Sequence, residues 1–144
     1  MNRIYLISLI ILLNISCNGF GPVDMSIETE NFKISQDELL GKWKMDSFSY
    51  KYLSSFKNDS IIIEFKNDST FILNTSSKLF DNKIDNTTVK GTWKIESFKR
   101  EKSIILNFKD NISKELQIYK NDKDFQLWHF LSDPDSGERI RFLR

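Results

Sequence analysis

The chain has 144 residues, with 21 Lys and Arg against 20 Asp and Glu, which suits a single domain of almost no net charge. That balance removes the electrostatic case for binding nucleic acid or an anionic membrane surface. One cysteine excludes an internal disulfide, and with one histidine it leaves too few soft ligands for a metal or thiol site.

Arg3 precedes an apolar run from Ile4 to Ile15, interrupted by Ser8 and Asn14. The run is short for a permanent membrane span and suits the core of a signal peptide, here residues 1–16. Leu13-Asn14-Ile15-Ser16-Cys17 resembles the lipobox of bacterial lipoproteins. The resemblance implies that Cys17 becomes the acylated N-terminus and holds the chain to the membrane through its lipid. Residues 17–34 are polar and contain Gly19, Gly21 and Pro22, so they read as a tether. Surface-exported lipoproteins of the Bacteroides type carry acidic residues close behind the Cys. Asn18-Gly19-Phe20-Gly21 stand there instead, which implies an outer-membrane lipoprotein facing the periplasm.

Ser35-x-x-Glu38 is a capping box, with Leu39-Leu40 behind it and Gly41 as a stop. It predicts one short helical turn feeding directly into a strand. Gly41-Lys42-Trp43-Lys44-Met45-Asp46-Ser47-Phe48 then returns as Gly91-Thr92-Trp93-Lys94-Ile95-Glu96-Ser97-Phe98. Each copy is followed by a matching run, Ser60 to Lys66 and Ser103 to Lys109. The connections differ in length, so the pattern is one supersecondary unit used twice, with variation pushed into the turns. Trp43, Met45 and Ser47 alternate with charges, as do Trp93, Ile95 and Ser97, which is the period of a half-buried strand. Phe48 and Phe98 break the phase, and a bulge or bend at Ser47 and Ser97 would return both rings to the inner face. Gly41 and Gly91 read as places where a backbone or ring approaches too closely for a Cβ.

The rest of the chain is a meander. Ile61, Ile63 and Phe65 share a face, Lys66 to Ser69 is turn chemistry, and Phe71 and Leu73 lie on the return strand. Asn74 to Thr88 is a long polar connection holding Leu79, Phe80 and Ile84, and reads as a short helix capping the core rather than a lid. Strands over Val89 to Glu96, Ser103 to Phe108, Ser113 to Lys120, Asp124 to Leu131 and Glu138 to Leu143 bring the total to eight. An all-β antiparallel run of eight with hairpin connections closes most simply into an up-and-down barrel without free edges, over residues 35–144.

Gly-x-Trp behind a helical turn, a second Gly-Thr-Trp, eight meandering strands and an Arg-bearing last strand together resemble the lipocalin-like lipoproteins of Bacteroides-type bacteria. The Thr-Asp-Tyr motif and the disulfide of true lipocalins are absent, so the resemblance implies a fold and a shallow cup. It also implies an Arg of the last strand lying across the Trp43 indole, with Arg141 ahead of Arg139, within about 6 Å of the ring.

Nothing in the sequence assembles a catalytic centre, and no cofactor or metal is expected. His129 lies in the near-continuous apolar run Phe125 to Leu131 and reads as a barrel-wall residue. No serine stands in a Gly-x-Ser-x-Gly elbow. Asp133 to Glu138 reads as a hairpin turn rather than a calcium loop. The inward phase carries Trp43, Phe65, Phe71, Trp93, Phe108 and Phe142, joined by Trp128. These rings either line a cup for a small apolar ligand or fill the barrel themselves. The first reading is a carrier of an apolar molecule. The second is a protein-binding envelope module, such as a periplasmic protease inhibitor or an assembly factor.

Overall fold

A computed structural model of the chain describes residues 32–53, 60–81, 83, 87–99, 101–121 and 124–144. The expected signal peptide, Cys17, the expected tether through residue 31 and Ile84 lie outside the described residues. Eight strands follow in chain order: β1 (Gly41–Met45), β2 (Ile62–Phe65), β3 (Thr70–Leu73), β4 (Val89–Phe98), β5 (Glu101–Phe108), β6 (Ser113–Lys120), β7 (Phe125–Phe130) and β8 (Arg139–Leu143). Each pairs antiparallel with the next and β8 returns to β1, so the sheet closes into the expected up-and-down barrel. The architecture is consistent with a lipocalin-like fold. Among the described residues, helical structure is confined to 3-10 turns at Asp37–Leu39, Ser49–Lys51, Ser77–Asp81 and Pro134–Ser136.

Period-two alternation builds the wall. Trp43, Met45, Ile63, Phe65, Phe71 and Leu73 are buried, while their strand neighbours are half-buried or exposed. Register carries the same face around the sheet, with Trp43 opposite Ile63, Phe65 opposite Phe71, and Gly91 between Phe71 and Phe108. Gly91 fulfils the close-approach reading: a Cβ there would stand 2.2 Å from the Asn107 carbonyl and 2.6 Å from the Phe71 ring. Gly41 has a different reason. A Cβ would meet nothing within 4 Å, but its φ of +104° is one that L side chains avoid.

Phe48 and Phe98 correct the expectation that both turn inward. β4 runs straight through Ser97, and Phe98 stays in phase with the solvent side, 72% exposed. At the first copy the chain does turn after Met45, but it delivers Phe48 to the outside of the barrel, beneath the Arg139 and Arg141 guanidinium groups.

Both ends of the barrel are stoppered. At the Gly41 end, the Asp37–Leu39 turn buries Leu39 completely. Its carbonyl accepts from the Trp43 indole nitrogen at 2.8 Å, and the Trp93 indole donates to the Lys66 carbonyl at 3.2 Å. The Glu38 carboxylate accepts from the Ser35 backbone N–H at 2.7 Å and its hydroxyl at 2.9 Å, which realises the backward half of the capping box. Those bonds hold the Glu38 carboxyl below its ordinary pKa. Phe32 is buried at the same end, 5.6 Å from Phe125, and Lys102 donates to its carbonyl. At the opposite end, Ser77–Asp81 presses Leu79 and Phe80 into the core, as the capping reading of the connection expects. The Asp81 carboxylate accepts from Lys114 at 2.5 Å, fastening this turn to β6. The Asp133–Glu138 stretch is a hairpin connection, with Asp133 accepting from the Asp135 N–H at 2.9 Å and Gly137 at a φ of +74°.

Candidate functional site

The candidate ligand residues do converge, but on one another. Trp43, Phe65, Phe71, Trp93 and Phe108 belong to one buried cluster with Leu39, Leu79, Phe80, Ile140 and Phe142. Phe65 and Trp93 lie 5.0 Å apart between ring centroids, and Phe71 meets Phe108 edge-on at 5.1 Å. Phe80 from the stopper reaches Phe108 at 6.1 Å. Eight short strands enclose a volume that side chains alone can fill, and here large rings occupy it.

Trp128 is a correction. It is only 7% exposed, yet it stands outside that cluster. Along β7 the inward phase is Phe125, Leu127 and His129, opposite Phe142 and Ile140 of β8. Trp128 therefore faces outward and is buried by what lies over it. Of the inward groups, His129 has both ring nitrogens against backbone carbonyls, Nδ1 at 2.8 Å from Glu115 and Nε2 at 3.1 Å from Phe80. The ring thus joins the wall to the Phe80 stopper, the structural role the sequence suggests for it.

The arginine across Trp43 exists, but it is neither Arg141 nor Arg139. Arg144 places its guanidinium carbon 4.9 Å from the Trp43 ring and donates from Nη2 to the Leu40 carbonyl at 2.5 Å. Ile140 and Phe142 point inward, so the next residue in that phase is Arg144, just past the end of β8. Arg139 and Arg141 fall on the outward phase.

There they form a layered stack on the outer wall. The Arg139 guanidinium lies 4.2 Å from the Trp128 ring and 4.8 Å from Phe48. Arg141 covers Phe48 at 4.2 Å. Tyr119 lies 4.2 Å from Trp128 on the other side, and Tyr52 meets Phe48 edge-on at 5.4 Å. Arg141 is ion-paired: its Nε donates to Asp46 Oδ2 at 2.7 Å, and Asp46 Oδ1 also accepts from the Ser49 N–H and hydroxyl. Among the described residues no carboxylate pairs with Arg139. Its Nη1 donates to the Gly137 carbonyl at 3.2 Å, while Nε is buried without a partner. Burial, and then the charge of Arg141, lower the Arg139 pKa from its ordinary value. Burial likewise pushes the Tyr119 phenol up to about 12.

The opposite wall has a different chemistry. A groove of about 460 Å3 over β3, β4 and β5 is lined by Lys66, Lys90, Lys109, Thr70, Thr92 and Ile72 among others. Among the described residues, no group of His, Cys, Asp and Glu gathers in a way that could hold a metal ion. The Arg139–Trp128–Phe48 stack is what sequence reasoning missed. The available signal was the apolar residues on both phases of Phe125 to Leu131, which call for cover on the outside as well. No family model matches the chain, and neither does any curated protein or solved structure.

Proposed function

We propose that this chain is a lipid-anchored envelope protein that acts as a protein-binding module, its filled barrel serving as a rigid support for an outer recognition surface. One observation carries the choice over a carrier of small apolar molecules: the inward rings pack on each other, and turns bearing Leu39, Leu79 and Phe80 stopper both ends. A ligand inside would have to displace several of these groups, each worth about 2–5 kcal/mol when removed from a packed core. Lipid anchoring is supported by the lipobox-like Leu13 to Cys17, and a periplasmic orientation by the neutral residues after Cys17.

Native mass spectrometry of the protein isolated from its own cells tests the reading. The expected result is the acylated chain with no small molecule retained, accompanied by a complex with another protein. A stoichiometric apolar ligand that survives purification would overturn the proposal in favour of the carrier. Cys17→Ala tests the anchor, with the expectation of soluble or unprocessed protein. Mature-sized protein still sedimenting with membranes would refute lipidation.

A further inference from the structure

The two sides of the barrel wall differ in composition as well as shape. Outward residues of β3 and β4 are Thr70, Ile72, Lys90, Thr92, Lys94 and Glu96, a mainly polar surface on which Phe98, at the far end of β4, is the one exposed ring. Over β6, β7 and β8 the outward residues include Tyr119, Trp128, Phe130, Arg139 and Arg141, extended by Phe48 and Tyr52. Trp, Tyr and Arg are the residues enriched where protein interfaces concentrate their energy, and Lys and Glu are depleted there. Planar rings layered with guanidinium groups also lose little side-chain entropy on docking, because packing already holds them.

Charge shows what the face lacks. Asp46 is ion-paired with Arg141; its charge also reaches Arg139, but among the described residues no carboxylate pairs with Arg139, which is pressed between two rings, and Lys51 adds a further positive charge 5.2 Å over Phe48. Glu101 and Glu115 lie on the Tyr119 side, and neither pairs with Arg139. The Arg139 Nε is buried without a partner, and Nη1 reaches only the Gly137 carbonyl. A partly buried guanidinium without a directly paired anion is costly, and the cation–π contacts offset only part of that cost.

We infer that the aromatic–arginine face of β6, β7 and β8 is the docking surface of this module, and that its partner presents a segment bearing Asp or Glu side chains to Arg139. The inference rests on the protein-binding reading above and deepens it. Carboxylate and guanidinium match as planar, bidentate partners, and the flanking rings exclude water from the pair. Arg139 thereby acts as the central anchor, while Phe130 and Tyr119 form the apolar rim.

Photo-crosslinking in the native cells tests this on the full lipidated chain. One form carries Phe130→p-benzoylphenylalanine on the proposed face, and a second carries Thr92→p-benzoylphenylalanine on the lysine-bearing wall. The Phe130 probe is expected to join one protein through an acidic segment, with the Thr92 probe giving none. Adding Arg139→Gln should reduce that crosslink about tenfold or more, as truncating an interface anchor does. Arg139→Lys keeps the charge but loses the planar stack, and should reduce it by a smaller factor; this variant carries the test should Arg139→Gln fail to fold. Crosslinking to a segment without carboxylates, or an unchanged yield in both Arg139 variants, would overturn the inference. Crosslinks from Thr92 alone would overturn it while leaving the protein-binding reading standing. No protein crosslinked from either position would sink both.

Discussion

Truncating Arg144 tests how the barrel closes at the Gly41 end. The guanidinium stands 4.9 Å from the Trp43 ring and donates to the Leu40 carbonyl at 2.5 Å. Arg144 is exposed, so its cation–π contact belongs at the weak end of the range, about 0.5–1 kcal/mol. The hydrogen bond to Leu40, competing with water, adds roughly 1 kcal/mol. Arg144→Ala therefore costs about 1–2 kcal/mol. Trp43→Leu removes a fully buried indole and leaves the Leu39 carbonyl without its donor, a loss of about 3 kcal/mol or more. The two losses share only the cation–π term. Denaturant unfolding of both single variants and the double should thus show a coupling of about 0.5–1 kcal/mol. Arg141→Ala combined with Trp43→Leu should be additive, because Arg141 is held on the outer wall by Asp46 and Phe48. Additive losses for the Arg144 cycle, or coupling in the Arg141 cycle, would refute this account of closure.

The two glycines separate close approach from backbone strain. Gly91→Ala drives a methyl into the Asn107 carbonyl and should cost about 3 kcal/mol by denaturant unfolding, whereas Gly41→Ala meets open space and should cost about 1–2 kcal/mol for its positive φ; the reverse ranking would contradict the geometry. Tyr119 predicts a stability change in alkali. Its folded pKa of about 12 exceeds the ordinary 10.0, so the unfolded chain releases this proton first, and the contribution is complete below pH 10 and lost as pH rises toward 12. Phenolate absorbance should show a tyrosine titrating near 12 that Tyr119→Phe removes, and the same variant should flatten the loss of stability across that window; an unchanged slope would show that the phenol is not desolvated.

Much of the fold was legible because alternation is a strong signal when only one face is apolar. Trp43 to Met45, Ile63 to Phe65 and Ile140 to Phe142 each announce an inner face, and the charges between them leave no second choice of phase. The same rule contained the right closing arginine. Ile140 and Phe142 place Arg144 inward, whereas Arg141, expected across the indole from the lipocalin-like resemblance, stands one residue out of that phase. Along β7 alternation falls silent, since Trp128 and Phe130 are as apolar as Phe125 and Leu127. The β7–β8 register, with Trp128 opposite Arg141, and the Arg139 guanidinium lying over its ring reveal that Trp128 lies outside. The filling of the barrel was similarly hidden. The count of large rings was visible, but their fit depends on how the stoppers at Leu39 and Phe80 meet them.

The Asp46–Ser49–Arg141 junction has a consequence for the order of assembly. Every other strand pairing joins chain neighbours, whereas this one joins residues 92 and 95 positions apart. Loop-closure entropy makes such a contact slow to form, so the curved sheet assembles first and the β1–β8 seam zips up last. Until then β1 and β8 are bare edges, open to pairing with other copies. The buried Ser49 hydroxyl, which accepts from the Arg141 backbone N–H at 2.7 Å, and the ion pair beside it act as a latch on this late step. Hydrogen exchange at the Asp46 and Arg141 amides, faster than at the β4–β5 hairpin, is the signature of a barrel that opens along the line where it closed.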